Sequence, residues 1–209
     1  MAEPINVAVL LSGSGRTLQN FIDRIAAGTL DARISVVIGS RADGYGLERA
    51  RRHGIPAVLV ASRRYRNVDA MGKALAAELD RRPVDLIAMA GFMCLFRIPD
   101  KFIGRAMNIH PALIPAFCGK GFYGHRVHEA VLGYGCKVSG CTVHFADNEY
   151  DHGPIIIQRA VPVLDDDTPD TLAARVFEQE CIAYPEAVQL FAEGRLSIEG
   201  RRVRIMPAA

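Results

Sequence analysis

Asn108 and His110 are the residues of this chain whose types and spacing most directly suggest chemistry. They stand two apart in Met107-Asn108-Ile109-His110-Pro111, at the end of a run that reads as a buried strand. Alternate side chains in a strand share a face, so both point the same way, and Pro111 ends the ladder just beyond them. An amide N–H donor beside a titratable imidazole suits stabilising an oxyanion while a proton moves, which is what acyl transfer needs. The alternative reading is a satisfied core histidine with a capping asparagine, since buried polar groups usually find partners of their own.

Two further segments bear on that chemistry. Ser12-Gly13-Ser14-Gly15-Arg16-Thr17 follows an apolar run and precedes a helical pattern. Glycines there let the backbone approach an anion, and free N–H groups at a helix N-terminus face it. The turn is no dinucleotide fingerprint, because Leu18 stands where the third glycine belongs, and it lacks the Gly-Lys-Ser/Thr end of a P-loop. A compact Gly-Ser turn suits one phosphate monoester, or simply a tight turn without a ligand. The second segment is Asp147-Asn148-Glu149-Tyr150-Asp151-His152-Gly153-Pro154. Its carboxylates have no EF-hand spacing, so a calcium loop is a poor reading. Asp151 precedes Gly153-Pro154 and an apolar strand. A carboxylate held there near His110 is expected to favour the imidazolium and raise that histidine's pKa towards neutrality.

The elements that must position these groups alternate. Apolar or β-branched runs at 6–11, 33–39, 57–60, 86–90 and 106–110 read as strands. Helical patterns begin at Leu18, with Ile22 and Ile25 on its stripe, and recur over 46–53 and over 67–81 with Met71, Leu75 and Leu79. The alternation argues for a parallel sheet with right-handed crossovers. Beyond Pro111 the pattern changes to a long loop at 112–124, a helix at 125–132, and strands at 137–145 and 154–163 flanking the 146–153 loop. Thr168-Pro169 reads as an N-cap with Pro at N1, opening a long helix from 170 to about 192, and 196–206 reads as a hairpin. An α/β class follows: a Rossmann-like three-layer sandwich, mostly parallel, with an antiparallel C-terminal extension.

A chain of 209 residues, half of them hydrophobic and with a net charge of +2, can bury a core without staples and offers no polyanion-binding surface. The arginine clusters at 63–66 and 201–204 lack interleaved aromatics and read as solvated faces rather than nucleic-acid sites. Five cysteines without a C-x-x-C, and no signal peptide or membrane-length apolar run, read as reduced thiols of a cytoplasmic protein. Cys136, Cys141 and His144 match no common zinc spacing, so no metal is expected.

Five motifs, taken in order, resemble the phosphoribosylglycinamide formyltransferase family: Ser-Gly-Ser-Gly-Arg-Thr-Leu-Gln-Asn near the start, Ala90-Gly91-Phe92-Met93, Asn108-Ile109-His110-Pro111, Val143-His144-Phe145 and Tyr150-Asp151-His152-Gly153-Pro154. The resemblance spans nearly the whole chain. It implies the formyltransferase fold as one domain, with a phosphate-binding half at 1–105 and a catalytic, folate-binding half at 106–209. It implies formyl transfer from 10-formyltetrahydrofolate to the amine of phosphoribosylglycinamide in purine synthesis, with small molecules as the partners of a monomer or homodimer and neither nucleic acid nor membrane. The catalytic set is then Asn108, His110 and Asp151. The ribonucleotide falls to Gly13, Ser14, Gly15, Arg16 and Thr17, with Glu180 on the late helix. The folate falls to Met93, Cys94, Leu95 and Phe96, to Asn108, and to Asp147, Asn148, Glu149, Tyr150 and Asp151, with Arg66 near its tail.

Departures from the family pattern are a longer, more aromatic 117–125 loop, in which His125 or His128 replaces a family histidine, and His152 in place of a common glycine. A side chain at 152 is expected to narrow the folate pocket. The rival within the same architecture is a formyltetrahydrofolate deformylase, although that family usually adds an N-terminal regulatory domain and a second histidine where this chain has Pro111. A non-catalytic nucleotide-binding module is the reading from another class.

Overall fold

The computed structural model describes residues 3–208. Strand β1 (Ile5–Leu11) is buried on both faces over almost its whole length, as a continuous Asn-Val-Ala-Val-Leu-Leu run requires. It pairs in parallel with β2 (Ala32–Gly39) on one side and β4 (Leu86–Met89) on the other, Val9 facing Val37 and Ala88. β2 in turn pairs with the short β3 (Ala57–Leu59). The order in this N-terminal unit is β3-β2-β1-β4, so the chain reverses its direction of sheet growth beside β1.

Helix α1 (Arg16–Ala26) buries Thr17, Leu18 and Phe21. The inward stripe is therefore centred one step away from the expected Leu18, Ile22 and Ile25, and the two isoleucines are only half-buried. α2 (Tyr45–Arg52) follows β2, and α3 (Val68–Leu79) buries Met71, Leu75 and Leu79 as its spacing predicts. The Asn67 side chain caps α3 by accepting from the Ala70 N–H at 2.8 Å. Single 3₁₀ turns at Ser62–Arg64 and Asp100–Phe102 carry no apolar periodicity that the sequence could reveal.

The boundary between the two units of the chain falls between Met107 and Asn108, inside β5 (Ala106–His110). In the C-terminal unit the order is β5-β6-β7-β9-β8. β6 (Val138–Phe145) runs antiparallel to β7 (Ile155–Pro162), and the hairpin of β8 (Leu196–Glu199) and β9 (Arg202–Ile205) meets β7 through a parallel bridge between Ile155 and Arg202. α4 (His125–Tyr134) and the 24-residue α5 (Pro169–Ala192) complete this unit. Thr168 caps α5 in a reciprocal box with Thr171, and Pro169 takes N1. The result is the expected α/β class, mostly parallel at first with an antiparallel C-terminal extension. All five cysteines are free thiols. Among the described residues no helix is long and apolar enough to cross a membrane.

Candidate active site

The pleat of β5 sends Asn108 and His110 to one side, and both meet Asp151 there. The Asn108 amide nitrogen lies 3.3 Å from Asp151 Oδ1, and His110 Nδ1 lies 3.4 Å from Asp151 Oδ2. Asp151 reaches this place because the loop after β6 folds back tightly. Gly153 abuts β6 so closely that a Cβ would overlap the Phe145 carbonyl, and the Phe145 N–H donates to the Pro154 carbonyl at 2.8 Å. Asp151 itself adopts φ +51, a left-handed conformation that aspartate tolerates better than most side chains.

Three groups that the sequence reading did not place complete the cluster. The Gly119 N–H donates to Asp151 Oδ2 at 2.9 Å. His144, fully buried on β6, donates from Nδ1 to the Phe145 carbonyl at 2.8 Å, which leaves Nε2 to accept from Asn108 Nδ2 at 3.3 Å. His110 Nε2 donates to the carbonyl of Phe117 at 2.9 Å. His144 was visible in the sequence within Val-His-Phe and by its alternation with Thr142 on β6. The Phe117 and Gly119 contributions come from the backbone, so no residue type could advertise them.

The electrostatics correct one expectation. Burial is the largest influence on His110 and pushes its pKa down; Asp151 and the Phe117 carbonyl push it up without overcoming that penalty. His110 is 3% exposed, and a charge taken that far from water is costly even beside a carboxylate. The net direction is thus below the ordinary value, not towards neutrality from below. Burial also pushes Asp151 up, but the neighbouring His144 and His110 imidazoles and the Gly119 N–H together hold it below the usual carboxylate range. A carboxylate that stays ionised beside an imidazole that gives up its proton readily makes a proton-transfer pair. The cluster also presents an amide donor at the same spot.

In the N-terminal unit, the turn after β1 leads into α1 through Gly15, which sits at φ +73 with its Cα face against Gly46. No side chain caps α1 and no acidic residue lies in its first turn, so its leading N–H groups suit an anion. Gly13, Ser14 and Arg16 are exposed, and Thr17 is buried. Ser12 braces the turn: its hydroxyl lies 2.6 Å from that of Ser40 and accepts the Met93 N–H at 2.9 Å. Met93 is exposed and Cys94 and Leu95 half-buried, whereas Phe96 is buried edge-on against Phe92 at 5.6 Å. Arg66 lies exposed in the bend before α3.

In the C-terminal unit, Asn148, Glu149 and Tyr150 are exposed on the loop that ends in Asp151, and Asp147 accepts the Glu149 N–H at 2.8 Å. Glu180 is half-buried on α5, where after burial its charge is the next influence that raises the Cys141 thiol to about 12. His125 bridges Glu129 and Asp170 at the surface, while His128 is buried. The His152 side chain turns to Asp147 and Arg201. Among the described residues no cluster of His, Cys, Asp and Glu could hold a metal ion.

Residues 5–188 match the formyl transferase family. The chain is 38% identical over 195 residues to a phosphoribosylglycinamide formyltransferase of Haemophilus influenzae, covering 92% of this chain and 90% of that protein. It is 41% identical to part of the trifunctional purine biosynthetic protein adenosine-3 of Bos taurus, covering 93% of this chain but 19% of that longer protein. Among solved structures, glycinamide ribonucleotide transformylase 1 from Symbiobacterium toebii superposes with a TM-score of 0.90 at 46% identity, over 99% of this chain and 96% of that one. By these likenesses the chain belongs to the formyl transferase family, among its phosphoribosylglycinamide formyltransferases.

Proposed function

We propose that the protein transfers the formyl group of 10-formyltetrahydrofolate to the amine of 5′-phosphoribosylglycinamide, giving the N-formyl product in purine synthesis. The observation that carries this reading is the convergence of Asn108, His110 and Asp151 at distances of 3.3–3.4 Å in a buried site of a formyl transferase chain. In the reaction the C–N bond to the folate N10 breaks, a bond to the glycinamide nitrogen forms, and one proton passes from that amine to N10. Asn108 and His110 donate to the oxyanion that develops on the formyl oxygen. To do so they exchange their present partners, Asp151, His144 and the Phe117 carbonyl, for the substrate. Asp151 orients His110, favours its charged form as negative charge develops, and lies where a relayed proton can be held.

Binding residues follow the family pattern. Gly13, Ser14, Gly15, Arg16 and Thr17 hold the ribonucleotide phosphate at the N-terminus of α1, which adds positioning energy remote from the reacting atoms. Glu180 contacts the glycinamide portion. Met93, Cys94, Leu95 and Phe96, together with Asn108 and residues 147–151, hold the folate, and Arg66 faces its tail. The exposed Met93, 49% accessible, offers apolar surface of the kind a pterin ring would cover. The chain works as a cytoplasmic enzyme on small molecules, with no metal in the chemistry, in one domain whose residues 1–105 bind phosphate and whose residues 106–209 catalyse.

The test is an absorbance assay with 10-formyl-5,8-dideazafolate, run with and without the ribonucleotide. Product formation only when phosphoribosylglycinamide is present is the expected result. Equal rates in both reactions would make the chain a hydrolase, and silence in both would leave only a binding module.

A further inference from the structure

The loop that presents Asp151 is tied down from outside the reaction site by a residue of the C-terminal hairpin. β8 and β9 turn through Gly200-Arg201, and the bridge between Ile155 and Arg202 sets that turn beside the exit of the Asp151 loop. Arg201 Nη2 donates to the His152 carbonyl at 2.8 Å, and Arg201 Nη1 donates to His152 Nε2 at 3.0 Å. The other ring nitrogen, Nδ1, donates to Asp147 Oδ2 at 2.8 Å. Only one assignment satisfies all three contacts: the ring proton sits on Nδ1, and Nε2 is the acceptor. Arg201 thus grips both the ring and the peptide carbonyl of the residue that follows Asp151, and the ring passes the constraint to Asp147.

We propose that Arg201 is a positioning residue, which through His152 holds residues 147–153 in the conformation that presents Asp151 to His110 and Asn108. The inference rests on the functional reading above. A tie has a purpose in the backbone: Asp151 is held at φ +51, a conformation that aspartate tolerates better than most side chains but that still costs energy and is kept by its surroundings. Gly153 and the Phe145–Pro154 hydrogen bond fix the loop on one side of Asp151, and Arg201 fixes the peptide next to it. A glycine at 152 would leave the Arg201-to-carbonyl contact but remove the ring that links Arg201 to Asp147. These contacts lie at the surface, where each contributes little to global stability. Their effect is therefore on loop geometry, to which turnover is sensitive even when folding is not.

The experiment compares Arg201→Ala, Arg201→Lys and His152→Gly with the unaltered protein by amide hydrogen exchange and by steady-state kinetics. Arg201→Ala is expected to speed exchange at the 148–153 amides and to lower kcat by roughly five- to tenfold, with KM for the ribonucleotide and Tm unchanged. Arg201→Lys, which can reach the carbonyl or the ring but not both, should recover part of the loss. His152→Gly should give a smaller effect of the same kind, and the double variant should be no worse than Arg201→Ala. Exchange needs no turnover. If the unaltered protein fails to transfer formyl groups, the functional reading falls while exchange still judges the tie. Exchange and kcat at the level of the unaltered protein in both Arg201→Ala and His152→Gly would overturn the proposal, and His152→Gly stands alone as the test if Arg201→Ala does not fold.

Discussion

Both hydrogens of the Asn108 side-chain amide are committed within the cluster, since Nδ2 lies 3.3 Å from Asp151 Oδ1 and 3.3 Å from His144 Nε2. That fixes the amide orientation, with nitrogen towards the two acceptors, and under the proposed function the same donor serves the formyl oxygen as it gains charge. The bonds are long for N–H···O contacts, so they yield to a better acceptor at modest cost. Asn108→Ala removes the donor without placing new bulk in the strand. It is expected to fold, with stability within about 1–3 kcal/mol of the unaltered protein, and to lose kcat by roughly 10²–10³-fold. Turnover at the original rate would remove Asn108 from the reaction.

Asp151→Asn isolates the charge. The amide keeps the shape but abolishes the negative neighbour of His110 and turns one of its two oxygens into a donor. Asp151 is the chief influence opposing the burial of His110, so its loss must drive the His110 pKa further below the ordinary value. NMR titration of the His110 ring should therefore show a lower pKa in the variant than in the unaltered protein, alongside a kcat at least about 10²-fold lower. An equal or higher His110 pKa would mean that Asp151 does not set its protonation.

Strand β5 was readable to the residue, because an apolar run ended by Pro111 leaves its bounds no freedom, and the same pleat placed Asn108 and His110 on one face. The α5 start was equally legible, since Thr-Pro-Asp-Thr supplies cap, N1 proline and box in four consecutive residues. The sign of the His110 shift was not legible. It depends on how deeply β5 is covered, a tertiary quantity, and the pairing rule available from sequence counts only the carboxylate. The Phe117 carbonyl and the Gly119 N–H were hidden for a different reason, being backbone groups in a loop whose path no periodicity describes. The contact between His152 and Arg201 spans 49 residues and follows from a single bridge between β7 and β9, which hydrophobic pattern alone does not specify. In α1 the stripe was displaced because Leu18 and Phe21, three apart, face inward together, which leaves Ile22 and Ile25 half-buried at its flank.

Gly15→Ala tests the turn at the start of α1. The residue sits at φ +73, and a Cβ would come within 2.8 Å of the Gly46 backbone, so the turn cannot keep its path with any other side chain. The strain is about 1–3 kcal/mol, and relieving it moves the leading N–H groups of the helix. KM for phosphoribosylglycinamide should rise roughly tenfold with kcat much less affected, the signature of a lost contact made equally in ground and transition states. Steady-state kinetics with the ribonucleotide varied would check this. A fall in kcat with KM unchanged would place the turn's contribution in the chemical step instead.

His128 predicts how the fold responds to acid. It lies on α4 at 4% exposure, and its Nδ1 finds no hydrogen-bond partner among the described residues. Burial pushes its pKa down to about 4, with His125 and His110 adding like charge in the same direction. Below its ordinary value of 6.5 the unfolded chain takes up a proton that the folded protein refuses until about pH 4. The unfolded state therefore binds more protons across that window, and stability falls as pH drops through it, by up to about 3 kcal/mol. Above the window the contribution is fully present and flat. His128→Leu keeps the apolar fit, removes the partnerless nitrogen and cannot titrate. Denaturant unfolding at pH 7.5, 6 and 4.5 should show the variant at least as stable at the highest pH and losing less on acidification than the unaltered protein. An acid loss as steep in His128→Leu as in the unaltered chain would assign the sensitivity to other groups, His110 first among them, whose shift has the same sign.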